Sequence, residues 1–142
     1  MKEIMEWNVC LKEHIKKVEP DHEKVRSIMK MCSIRLKIMN SIRIDDESAS
    51  VIATDYNEVI KELLVALLLK NGLKSDNHEC LISFFKKNFP QYDYEAEAIH
   101  KLKDARNRIS YDGVFVKKSY IESNKLEFEH IIRMLNKILE GK

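Results

Sequence analysis

Chain-breaking residues are scarce in this protein. Its 142 residues include three glycines and two prolines, too little punctuation for a fold built of many strands and tight turns. No Gly-x-Gly phosphate loop and no Gly-x-Ser-x-Gly nucleophile elbow can be formed from Gly72, Gly113 and Gly141. The longest apolar run, LLVALLL at 63–69, has seven residues, whereas a membrane span needs about 20. A dominant charge is also missing. The 25 basic residues nearly cancel the 23 acidic ones, leaving a formal charge of +2, so any basic patch for nucleic acid has to be local. Cys10, Cys32 and Cys80 are odd in number and lie outside any CxxC. With no secretory segment at the start, they read as reduced thiols of a cytoplasmic protein.

Metal chemistry has little to work with. NHEC at 77–80 sets His, Glu and Cys in a row, but neighbours on a helix diverge by about 100° and cannot converge on one ion. HExxH is absent as well, so neither a metal nor another cofactor is expected. His14, His22, His78, His100 and His130 each stand alone in sequence and read as surface or rim histidines.

What the chain does contain is helix-forming sequence, rich in Leu, Ile, Lys, Glu and Met. One domain over 1–142 is expected, large enough to bury a core without disulfides or metal. Apolar residues three and four apart predict helices over about 2–18, 22–44, 48–70, 77–88, 92–110 and 120–139. Pro20 separates the first two, so that 1–20 is an N-terminal helical segment. The second has two apolar strips, one of them Met31, Ile34 and Ile38, and should meet more than one neighbour. The third should be the central core helix, closed by Asn71-Gly72. Asp76 with Glu79, and Ser119 with Glu122, are placed as capping boxes for the fourth and last helices. VFV at 114–116 is too short to make a sheet. The expected fold is all-α, an up-and-down antiparallel bundle of five to six helices.

RNRISYDG at 106–113 carries the functional question. On a helical wheel, Ala98, Ala105 and Ile109 fall within about 60° of Leu102 and form the expected core stripe. Arg106 lies about 40° from Leu102, on the rim, with Ser110 one turn on. His100, Asp104, Asn107 and Tyr111 fall on the far side. Arg106 and Tyr111 diverge by about 140°, so they should meet only if the helix loosens or a second chain joins them. One reading of these residues is a solvated helix end, with Arg106 stretched along the core rim and Asp104–Arg108 a surface pair. The other is an anion site.

YNEVIKELLVALLLKNGLKSDNHECLISFF at 56–85, followed by LKDARNRISYDG at 102–113, resembles the HEPN family of small all-helical domains, most of all its stand-alone prokaryotic and archaeal members. The likeness spans about residues 21–140. It implies a helical bundle that dimerises with its two Arg-Asn helices approaching each other. Active members are metal-independent RNases, often toxins of toxin–antitoxin pairs, and some pair with a small nucleotidyltransferase. Carried over, the family arginine falls on Arg106, the asparagine on Asn107 and the histidine on Tyr111. These three are the catalytic-motif positions, and Arg106, Asn107, Ser110, Tyr111 and His100 are the anion- or RNA-binding candidates. A phenol keeps its proton at neutral pH and is a poor general base for a ribose hydroxyl. The resemblance therefore implies a homodimer that binds RNA or nucleotide, with RNase activity weak or lost. Two alternatives stand beside it: a non-enzymatic module that pairs with a nucleotidyltransferase, and an RNase in which His100 replaces the missing imidazole.

Overall fold

The computed structural model describes residues 3–141. Six helices run in the order α1 Trp7–Glu13, α2 His22–Met39, α3 Ala49–Lys70, α4 His78–Asn88, α5 Asp93–Asp112 and α6 Lys118–Leu139. Two short strands, β1 Ile15–Lys17 and β2 Leu73–Ser75, join the first and third loops. The fold is an all-α bundle, as expected.

α3 is the axis of the molecule. Its apolar residues occur on every side, and those from Ile52 to Leu68 are buried almost without interruption. α2, α4, α5 and α6 all pack against it. It stops where Gly72 takes φ +72°, and a Cβ there would lie 3.1 Å from the Val18 carbonyl oxygen. The predicted Asn-Gly stop is thus both a left-handed position and a close approach. Gly113, at φ +65°, ends α5 in the same way.

Of the first predicted helix, 2–18, only Trp7–Glu13 is helical among the described residues. α1 closes at Glu13 and Ile15–Lys17 turns into a strand that pairs antiparallel with Leu73–Ser75. His14 Nδ1 meets Asp76 Oδ1 at 2.8 Å beside it. A seven-residue helix has too few internal bonds to hold itself, so α1 is secured by tertiary contacts. Trp7 packs edge-on against Phe84 at 5.5 Å, and a Cys10–Cys80 disulfide ties α1 to α4. That bond corrects the expectation of three reduced thiols. Only Cys32 stays free among the described residues; its burial, helped by Glu62, pushes its thiol up to about 11. No described helix is long and apolar enough to cross a membrane.

Two caps also differ. Asn77, not Asp76, opens α4, accepting from the Glu79 amide at 2.8 Å. α6 begins at Lys118, whose amide donates to Asp46 at 2.9 Å, so Ser119 lies inside the helix rather than capping it. Residues 114–116 are not a strand; Val116 donates instead to the Ser50 hydroxyl at 2.9 Å.

α5 is rotated from its expected setting. Its buried residues are Ala96, Ile99, His100, Leu102 and Lys103. That face is centred about 80° from Leu102 on the wheel. Ala98 and Ala105, expected in the core stripe, instead line a groove of about 650 Å³ between α5 and α6. The cause is α4, which packs against one side of α5 while α6 stands off on the other. His100, expected on the open side, is therefore 2% exposed.

Leu64 and Leu67 are 0% and 1% exposed, so alanine at either should cost about 2–5 kcal/mol through the cavity it leaves. A shifted urea midpoint would show it. Reducing Cys10–Cys80, which span 70 positions, should cost about 4–4.5 kcal/mol by chain entropy. Unfolding with and without reductant checks this.

Candidate functional site

The second half of α5, from His100 on, and the start of α4 line a pocket of about 510 Å³. α4 contributes Asn77, His78 and Glu79; α5 contributes His100, Lys103, Asp104, Arg106, Asn107 and Tyr111. Of the residues expected at a site, Arg106, Asn107, Tyr111 and His100 are brought together. Ser110 is not: it is exposed and does not line the pocket.

Arg106 organises the group. Its Nη1 donates to Tyr111 Oη and to Asn107 Oδ1, each at 3.3 Å. Its guanidinium carbon sits 5.6 Å from the centroid of the Tyr111 ring, within cation–π range. The expected divergence of Arg106 and Tyr111 holds for their Cα–Cβ directions but not for their tips. Two of the longest side chains bridge the gap, and α5 neither loosens nor needs a second chain. Arg106 is half-buried, whereas Tyr111 is 75% exposed. The ring therefore forms an outer wall with one face held by the cation.

Lys103 lies deeper and is 7% exposed. Its ammonium reaches Glu79 Oε1 at 3.4 Å, the partner that a buried charge requires. His78 sits between these cations. Burial first, then Lys103, Lys61 and Arg106, push its imidazole down to about 4. It is therefore neutral at pH 7. Lys103 and Arg106 line the pocket with it, beside the carboxylates of Glu79 and Asp104. Arg108, by contrast, turns outward, with its guanidinium held by Asp104 at 2.5 and 3.1 Å. The surface-pair reading is correct for Arg108 and not for Arg106.

The sequence offered His78 as a rim histidine and Glu79 as a capping residue, neither as part of this site, and did not single out Lys103. Their only signal was position: His78 opens the helix after the Gly-Leu-Lys-Ser turn, and Lys103 follows His100 by three residues on one face of α5. Their meeting depends on how α4 lies on α5. Among the described residues, no three or more His, Cys, Asp or Glu side chains could hold a metal ion.

The low His78 value has a consequence for stability. A histidine whose folded value is depressed resists protonation that the unfolded chain accepts near pH 6.5. Stability should therefore fall as pH drops below about 6.5, by about 2 kcal/mol at pH 5, and level off near 4. Chemical denaturation at pH 7 and pH 5 measures this, and His78→Gln should flatten the dependence.

No protein-family model, no curated protein and no solved structure matches this chain.

Proposed function

We propose that this protein is an HEPN-type homodimer that binds RNA or nucleotide phosphate at the Arg106 pocket, with metal-independent cleavage weak or lost. The observation that carries the reading is the Arg106 cluster itself. A half-buried guanidinium is held against the neutral groups of Asn107 and Tyr111, at the mouth of a pocket that Lys103 also lines. Arginine presents a planar fork that matches two phosphate oxygens. Tyr111 supplies a hydroxyl and an open ring face on which a base can stack. Asn107 supplies a neutral donor and acceptor beside the fork. A bound phosphate would also offset the cations near the His78 imidazole and raise it toward its ordinary value.

Cleavage makes a further demand. Removing the proton from a ribose 2′-hydroxyl calls for a base that titrates near the working pH. Tyr111 occupies the position where the family carries its histidine, and His78, at about 4, is too weak a base at neutral pH. The pocket is thus equipped to hold phosphate better than to activate a hydroxyl.

Arg106→Ala should weaken the binding of a short single-stranded RNA by about 1–3 kcal/mol, the loss of a charge-assisted contact. Arg108→Ala should lose less, because that guanidinium is already held by Asp104. Fluorescence anisotropy at one fixed salt concentration makes the comparison. Tyr111→His should gain cleavage in the presence of a chelator while the wild type shows little. An unchanged affinity in Arg106→Ala would sink the reading.

A further inference from the structure

The apolar strip of Met31, Ile34 and Ile38 on α2, expected to meet a second neighbour, faces solvent instead. The groove between α5 and α6 is another uncovered apolar surface, and there polar side chains say what fits. It shares no residue with the Arg106 pocket. Leu102 and Phe128, both buried, form its floor. Ala98 and Ala105 are too small to fill the space above them. Tyr120 packs on Phe128 at 6.3 Å, and Tyr94 stands exposed on the rim. The groove is bounded at both ends. Residues 113–117, which join α5 to α6, close one end, where Val114 and Val116 line it. About one turn past Glu127, Glu95 and His130 tie the two helices together at 3.2 Å. A bounded, mostly apolar groove of about 650 Å³ with a few polar groups has the form of a small-molecule site.

The charges that line it are four, and two of them are already answered. Lys86 holds Glu97 at 2.9 Å, and Asp104 holds Arg108. Glu127 and Lys101 are left, and among the described residues neither has an ion-pair partner, not even the other. Glu127 Oε1 is buried in the α6 wall without a donor, a costly state for an acceptor. Lys101 is exposed on the α5 rim. Asn124 lies three residues before Glu127, on the same face of α6. Its Nδ2 donates to the Tyr120 carbonyl at 2.8 Å, which leaves its Oδ1 as a second acceptor. Two acceptors on one wall, one of them a carboxylate, suit an ammonium with its three N–H donors. Lys101 suits an anion on the facing helix, and the floor suits an apolar body. A simple amine leaves Lys101 unanswered and is repelled by it. A simple acid is repelled by Glu127 in the same way.

We infer that this groove binds a free α-amino acid with an apolar side chain. Its ammonium lies against Glu127 and Asn124, its carboxylate against Lys101, and its side chain on Leu102 and Phe128. An α-amino acid carries both charges on one carbon, which suits two opposite charges on facing helices that do not reach each other. The inference goes beyond the phosphate-binding reading and does not rest on it.

Calorimetric titration of the wild type with L-phenylalanine tests it. One site should saturate in the micromolar to millimolar range. Phenethylamine lacks the carboxylate and 3-phenylpropionate lacks the amine, so each should bind at least tenfold more weakly. L-serine, without an apolar body, should not bind. Glu127→Gln should weaken L-phenylalanine at least tenfold. Lys101→Met should weaken it to the level of phenethylamine. In the wild type, the backbone amide resonances of residues 98–102 and 124–128 should shift as L-phenylalanine is added, a readout that depends on no variant. No binding of L-phenylalanine up to about ten millimolar would overturn the proposal, as would shifts confined to other residues or an unchanged affinity in Glu127→Gln. Equal affinity of the wild type for phenethylamine or for 3-phenylpropionate would show that one of the two charges takes no part, and would also overturn it. None of these results alters RNA binding at Arg106, which its own variant tests.

Discussion

The rest of the molecule depends on the burial of one helix. α3 is apolar around most of its circumference, with no charged residue from Leu63 to Leu69. Its partly exposed charges Asp55, Glu58, Lys61 and Glu62 lie in its first half and middle. It needs cover from several directions, and α2, α4, α5 and α6 supply it. Fully burying each leucine or isoleucine contributes about 1.5–3 kcal/mol, so neighbours that leave α3 uncovered lose more than any single polar contact could return. The bundle is therefore organised radially around α3. Its outer helices need not touch one another, and α5 and α6 leave a groove between them.

Radial packing leaves the periphery to be secured by other means. α1 has seven residues and α4 eleven, lengths at which a helix gains little from its own hydrogen bonds. The Cys10–Cys80 bond, the three-residue β1–β2 pairing and the His14–Asp76 contact act at the same corner. All three hold the segment that leads into α4. That matters for the pocket, because Asn77, His78 and Glu79 form the first turn of α4. Their position against Lys103 and Arg106 follows from how this corner is tied.

The pocket is a place where electrostatics and packing disagree, and packing prevails. Lys103 and His100 are polar residues on a face that α4 covers. Lys103 is tolerated because Glu79 reaches it, and His78 stays neutral because it is buried and, after that, because cations lie near it. In the lining Lys103 and Arg106 are matched by Glu79 and Asp104, but Glu79 is taken by Lys103 and Asp104 by Arg108. The Arg106 guanidinium, held by neutral groups, is therefore the charge suited to receive a negative partner. Arg106 stands at the mouth, where the charge is still reachable from solvent.

The helical class, the centrality of α3 and the glycine stops were legible in the sequence because each depends on neighbours a few positions apart: apolar period, lack of polar interruption, and a residue free to take positive φ. The Asp104–Arg108 pair was legible for the same reason. Arg106, Asn107 and Tyr111 could be named from the family resemblance, although wheel geometry set Arg106 and Tyr111 apart. It counts Cβ directions and not the reach of a guanidinium and a phenol. Ser110 failed because the helix turns it outward. The strand at Ile15–Lys17 was invisible because its partner lies far along the chain and no glycine or proline marks the break. The disulfide was missed because Cys10 and Cys80 sit on separate helices with no motif between them. The rotation of α5, the burial of His100 and the entry of His78, Glu79 and Lys103 into the pocket were decided only by tertiary structure. A helix with apolar residues on more than one side has no preferred inward face until a neighbour chooses one, and here α4 made that choice.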